Sequence, residues 1–430
     1  ALGDQVLRAF IAYDESRGSV IGEKGILALA AHAPGPEAVG LLQAYMRAFH
    51  VRRAQIEAMF ESLAGGMDPA VIQLLLGVSR RYRTASVQDK ARELVEQIAQ
   101  RRGWSADQLA DRTVPTGGLD DEGRLELDYG GRRFVVTLDA ALKPVLQNAD
   151  GKEVKALPEP RQGDDADSIK EAKQALAGCK KELKQVLEMQ SARLYDAMCT
   201  GRCWPVDEWQ AYLAGHPIVG RLVQRLLWLA EDGEGSTRQV VRPTEDGSLI
   251  DSDDNEVALA PGSVLRLAHA SLLEPGQAEA WQRHLKDYKV KPLFEQLQRA
   301  SPDAALLNDI DIGERLGWVS DAFTLRGAFG KLGYQRAQAE DGGIFDHYYK
   351  EFGGADLRVV IHFSGNALPE DNLPAALKRL SFERLSGPWK HRAVSPAQVP
   401  PVLLAEAYND YLAVAAQGAF DAGWEDKMPW

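Results

Sequence analysis

Along residues 1–104, apolar side chains return every three or four positions. Ile56, Met59, Phe60 and Leu63 fall at i, i+3, i+4 and i+7, and Val71, Leu74, Leu75 and Val78 repeat the pattern. Val87, Ala91, Leu94, Val95 and Ile98 give it a third time. This spacing lines one face of an α-helix. Punctuation stands between the runs. Asp68-Pro69 offers a cap followed by proline in the first helical turn, and Ser86 with Asp89 resembles a capping box. Gly65-Gly66 closes one helix, and Pro34-Gly35-Pro36 separates two others. Short serial helices with one apolar face each must stack to bury it. Residues 1–104 are therefore expected to form HEAT-like α-helical repeats in preference to an ordinary bundle.

The period changes after Gly117. Leu125–Tyr129 and Phe134–Leu138 read as strands joined at Gly130-Gly131, and residues 145–157 read as a second hairpin turning at 148–151. Ile169, Ala172, Leu176, Cys179, Leu183 and Val186 then mark the seam of one long helix over about 168–198. A further β-rich patch covers about 238–268, with helices near 277–300. A hairpin pairs 345–349 with 357–361, and a closing helix runs through Leu403, Leu404, Ala407, Tyr408 and Tyr411. At the junction, Ser105 and Gln108 form a capping-box pattern, so a short helix is expected beside Trp104. The expected class is α+β, predominantly helical. Three parts follow: repeats over 1–104, a mixed unit with small antiparallel sheets over 105–330, and a C-terminal α+β segment over 331–430.

Composition narrows the function. The 430 residues carry a net charge of −12, which argues against a general nucleic-acid coat. Residues 1–104 hold 13 Lys/Arg against 11 Asp/Glu, so the acidic excess lies beyond them. No apolar run is long enough to span a bilayer, and no signal-peptide pattern opens the chain. Three cysteines, at 179, 199 and 203, fit a reducing compartment, so a cytoplasmic protein without a membrane role is expected. The start at Ala1 suggests a piece of a longer protein.

Candidate chemistry is sparse. Cys199, Cys203 and His216 fall short of the four ligands a structural zinc needs, and core cysteines are the better reading. Asp251, Asp253 and Asn255 open like a calcium loop, but Glu256 and Gly262 break the pattern, which favours an acidic solvated turn. Gly327, Gly330 and Gly333 lack both the Walker and the dinucleotide spacing. No metal and no cofactor is expected. His347 with Tyr349 is a candidate binding surface, although strand alternation would put Asp346 and His347 on opposite faces. The basic residues Arg52, Arg53, Arg80, Arg81, Arg101 and Arg102 form a candidate binding ridge, or else serve helix ends.

Scattered motifs carry one resemblance. Arg102-Gly103-Trp104 with Leu109-Ala110-Asp111, Gly118-Leu119-Asp120, Asp128-Tyr129-Gly130, Arg202-Cys203-Trp204, His216-Pro217 and Arg242-Pro243-Thr244 are similar to a bacterial family. So are Trp281, Pro292-Leu293-Phe294, and Pro400-Pro401-Val402 with Glu406 and Asp410. The family is that of molybdate metabolism regulator-like proteins, which carry the WGR-associated domain of unknown function 4132; no WGR module is recognised here. The resemblance implies no catalytic residues, but it implies partners of the AAA+ ATPase or von Willebrand A type. An intracellular scaffold or regulatory protein of unknown molecular activity, using helical repeats and an α+β unit to bind a protein partner, is therefore expected. The alternative is an enzyme or nucleotide-derived ligand binder with its site in 105–430.

Overall fold

The computed structural model of the protein describes residues 2–18, 20–80, 85–233, 238–339, 343–385 and 391–428. They form an α+β fold of two compact units, residues 1–186 with 216–218, and residues 187–215 with 219–430. The division falls inside the long helix, whereas the change of texture in the sequence predicts boundaries at 104 and 330.

The first unit opens with helices α1 (Leu2–Arg17), α2 (Gly35–Ala48), α3 (Arg53–Ala64), α4 (Pro69–Arg80), α5 (Ala85–Arg102) and α6 (Ala106–Arg112). A 3-10 segment, Ile21–His32, stands between α1 and α2. Helices pack on their sequence neighbours and also two places on, α2 against α4 and α3 against α5. The faces read from the sequence are those buried: Ile56, Met59, Phe60, Val71, Leu75 and Val87 are all at most 2% exposed in one continuous core. Helix α6 begins with the expected capping box. The Gln108 N–H donates to Ser105 Oγ, and Gln108 Oε1 accepts from the Ser105 N–H. Trp104 packs against the helical core, between the Arg102 and Arg112 guanidiniums.

Strands β1 (Leu125–Tyr129), β2 (Arg132–Leu138), β3 (Pro144–Asn148) and β4 (Glu153–Val154) form an antiparallel meander. Its first turn needs positive φ at two successive residues, and Gly130 (64°) and Gly131 (89°) supply it. The long helix α7 spans Ala166–Thr200.

The second unit holds two more sheets. Strands β5 (Cys203–Pro205), β6 (Trp228–Glu231), β7 (Arg238–Pro243), β8 (Leu249–Ile250) and β9 (Val264–Leu267) run in the order β5-β9-β6-β7-β8. Short helices α8 (Val206–Trp209) and α9 (Val219–Val223) lie within this stretch. Trp204, Trp209 and Trp228 pack edge to face in the core, at 5.7 and 5.2 Å between ring centroids. Helix α10 (Gln277–Asp287) follows.

The larger sheet orders β11 (Gln335–Arg336), β12 (Phe345–Phe352), β13 (Leu357–Asn366), β14 (Pro374–Leu385), β10 (Trp318–Asp321) and β16 (Ala419–Phe420), with β15 (His391–Val394) on β14. Helix α11 (Ala322–Lys331) ends in a tight turn where Gly333, at φ 83°, donates to the Gly330 carbonyl. Helix α12 (Pro401–Ala415) buries residues around nearly its whole circumference, as a core helix does.

Candidate functional site

Among the apolar residues of α12 stand two acids, Glu406 and Asp410, spaced i, i+4 and so on one face. They are 1% and 6% exposed. Four side chains of the second unit converge on them. Tyr195, near the end of α7, donates to Glu406 Oε2 at 2.7 Å. Arg299 Nε lies 2.7 Å from Glu406 Oε1, and its Nη2 is 3.3 Å from Oε2. His269 Nδ1 accepts the Ser271 N–H, so the proton of a neutral ring sits on Nε2, 3.3 Å from Glu406 Oε1. Lys350, on β12, brings its Nζ 3.9 Å from Asp410 Oδ2 and 4.6 Å from the centre of the Tyr195 ring. The same ammonium donates to the Leu332 carbonyl.

The two acids differ in charge state. Burial raises the pKa of Glu406, but the bond from His269, the Arg299 charge and the Tyr195 hydroxyl outweigh it and hold the group below its ordinary value. Burial dominates at Asp410 and pushes it up to about 6, with Lys350 only partly offsetting it. Asp410 is therefore near its titration point at neutral pH, a property suited to accepting and returning a proton. Neighbouring Cys199 is fully buried and its thiol is pushed well up, so it stays protonated and is no nucleophile. Arg299 and Lys350 keep their side chains 26% and 19% exposed, so the cluster is not sealed from solvent at those two cations.

A second grouping lies on β12 and β13. His347 sits directly opposite His362, with ring centroids 5.4 Å apart. Asp346 and His347 are not on opposite faces, as simple alternation predicts. A register shift between Phe345 and His347 breaks the period, so Phe345 and Tyr348 are buried while the two residues between them are both partly exposed. Asp346 Oδ1 lies 2.7 Å from His347 Nδ1, and that contact, outweighing burial, holds the Asp346 pKa low. His362 Nε2 is 3.1 Å from Ser381 Oγ; burial first, then Arg379, lowers its pKa to about 4. Among the described residues, Asp346, His347 and His362 are a set of three whose ligand atoms lie within 4.8 Å of one another. Tyr349 turns instead to Arg358, 4.6 Å from its ring centre, and to Gln335.

The basic residues of the candidate ridge have different surroundings. Arg52 is committed to the buried Asp14, while Arg53 and Arg101 are exposed and Arg102 lies over Trp104. Arg81 lies outside the described residues, as does the Arg80 side chain. His216 is occupied at both ring nitrogens, by the Val114 carbonyl and the Ile218 N–H, and Cys199 is buried where Cys203 is exposed, so no zinc set forms from them. Asp251 closes its own turn, its Oδ1 accepting from the N–H groups of Asp253 and Asn255, as an acidic solvated turn should. Asp410 went unrecognised as a site residue because one acid on a buried helix has no motif. The available signal was its i, i+4 pairing with Glu406 on a helix whose other residues, Asn409 apart, are apolar or aromatic.

Residues 151–305 match the family model described as a domain of unknown function (DUF4132). That segment takes in Tyr195, His269 and Arg299 of the cluster, but not Lys350, Glu406 or Asp410. The chain is similar to the uncharacterized protein YehI of Escherichia coli (strain K12), 29% identical over 303 residues. The alignment covers 69% of this chain and 24% of YehI, so the chain spans about a quarter of that relative's length. No solved structure matches.

Proposed function

We propose that this chain is a scaffold or regulatory module that binds a protein partner through its N-terminal helices. The observation that carries the reading is the distribution of exposed apolar side chains. Of the eleven large ones among the described residues, five lie within the first 51 residues: Leu2, Tyr13, Ile26, Leu29 and Val51. Such a density of exposed apolar side chains along one stretch of the chain supports protein contact there. The packing of helices two places on supports a HEAT-like stack, an architecture that presents extended binding surfaces. The matches to a domain of unknown function and to YehI are in keeping with the molybdate metabolism regulator-like family, which is the ground for choosing an AAA+ ATPase or von Willebrand A protein as partner. A cytoplasmic setting and no direct nucleic-acid role belong to the same reading. No helix of the described residues is long and apolar enough to cross a membrane.

The test is recovery of purified AAA+ and von Willebrand A proteins from the same genome on the immobilised chain. Ile26→Ser with Leu29→Ser should lower recovery about tenfold, the loss of about 1.4 kcal/mol of binding. Arg53→Glu with Arg101→Glu asks whether exposed basic residues contribute. Equal recovery by wild type and the Ile26/Leu29 variant would sink the reading.

A second reading, an enzyme or ligand binder, rests on Asp410, a buried acid near its titration point beside an ammonium. A ligand screen by thermal shift separates the two. A small molecule that raises the melting temperature of the wild type but not of Asp410→Asn favours the second reading.

A further inference from the structure

We propose that Asp346, His347 and His362 form a binding site for a divalent transition ion of the zinc class. Two imidazoles and one carboxylate are the donor set of three-ligand zinc sites that keep a further position open. Here the donors come from adjacent strands of one sheet. His347 and His362 are a direct cross-strand pair, which fixes their spacing by backbone hydrogen bonds and not by loop geometry. The irregularity at Asp346 then adds the third donor to the same face, and strand irregularities commonly re-aim side chains in this way. Without it, period-two alternation would turn Asp346 to the opposite face.

The surroundings suit a metal. Ser381 Oγ lies 3.1 Å from His362 Nε2, a contact that orients the ring and leaves Nδ1 as its other donor for an ion. His347 Nε2 and the second Asp346 oxygen remain open to rearrangement when an ion replaces the present Asp346–His347 contact. The Asp346 side chain is 48% exposed and that of His347 is 13% exposed, so the site has both access and walls. Two cations also act on it, Lys378 and Arg379 of β14. The opposing charge of Arg379 is reduced by Asp311, 3.3 Å from its Nε.

The experiment uses the full chain, stripped with chelator and titrated with Co2+ as a spectroscopic probe and with Zn2+ by calorimetry. A stoichiometric site with Co2+ absorption characteristic of nitrogen and oxygen ligands is expected, and Zn2+ should displace the cobalt. His347→Ala and Asp346→Asn should abolish stoichiometric binding with far-UV circular dichroism unchanged. Ser381→Ala, which frees the His362 ring, should weaken binding about tenfold. Asp346→Asn is nearly isosteric and partly exposed, which guards against loss of fold as the explanation. No stoichiometric uptake by the wild type, or uptake unchanged in both His347→Ala and Asp346→Asn, overturns the proposal.

Discussion

Asp14 in the first unit and Asp410 in the second are both buried aspartates on helices, yet their pKa values move in opposite directions. Asp14 is fully buried, and burial alone would raise its pKa. Four donors outweigh that: Tyr45 Oη at 2.6 Å, the Val20 N–H at 2.9 Å, Gln55 Nε2 at 3.2 Å and the Arg52 guanidinium. Asp410 has Lys350 at 3.9 Å as its ion-pair partner, and burial prevails. The same side chain is therefore a brace charged at neutral pH in one place and a group pushed toward neutral pH in the other. The number of donors converging on the carboxylate decides which. Glu406, one turn from Asp410, is built like Asp14, so both kinds of acid share α12.

The comparison predicts the largest effects where the donors are most numerous. Asp14→Ala leaves Arg52, Tyr45 and Gln55 facing an empty position, and Glu406→Ala does the same to Arg299, His269 and Tyr195. Breaking a buried pair by removing one partner costs about 3–5 kcal/mol. Urea unfolding should show losses near the lower end for both variants, since the Arg52 and Arg299 side chains are 21% and 26% exposed and recover some hydration. A loss below about 1 kcal/mol for Glu406→Ala would mean the network on α12 is ornamental, because intact buried networks do not yield so little.

Asp410 should respond in the other direction. Its folded pKa, about 6, lies above its ordinary value of 3.8, so the native state binds more protons between those limits. Stability from this group is full below about pH 4, falls as pH rises through 6, and stays reduced above it. Asp410→Asn imitates the protonated form and removes that slope. Relative to wild type, the variant should gain on the order of 2 kcal/mol between pH 4 and pH 7.5. Denaturation midpoints for both proteins that run parallel across that range would show that Asp410 does not titrate there.

The difference between the two acids also explains how far the sequence could be read. The helices of residues 1–104, the Ser105 cap, the Gly130-Gly131 turn and the hairpin of β12 with β13 are local features. Periodicity and turn chemistry describe them because the interactions that form them span only a few residues. The three β-rich patches were legible as strands, but their separation into four-, five- and seven-stranded sheets was not, since β10 pairs with β14 and β16 across long stretches of chain. Arg52 looked like surface charge because nothing near it in the sequence reveals Asp14, 38 positions away. The cluster on α12 was less legible still: its donors lie between 107 and 211 residues from Glu406. Asp346 beside His347 was misread for the opposite reason. The signal was local, but one irregularity in a strand reverses every inside-outside assignment beyond it.

A smaller perturbation tests whether donor number is the controlling variable. Tyr45→Phe removes one of the four donors of Asp14 and leaves its ring packed; Tyr195→Phe removes one donor of Glu406 in the same way. Hydrogen bonds to charged groups contribute about 1.5–3 kcal/mol, and the lower figure applies where other donors remain to close in. Each variant should therefore lose about 1.5 kcal/mol near pH 7. The pH dependence is more telling than the magnitude. Both carboxylates are held below their ordinary values, so their contribution is present above the unfolded pKa and lost as pH falls through the folded one. Removing a donor raises the folded pKa and moves acid unfolding to higher pH in both variants. If Tyr45→Phe shifts acid unfolding and Tyr195→Phe does not, Glu406 is fixed by His269 and Arg299 alone, and its likeness to Asp14 fails at the tyrosine, one of the two donor types the acids share.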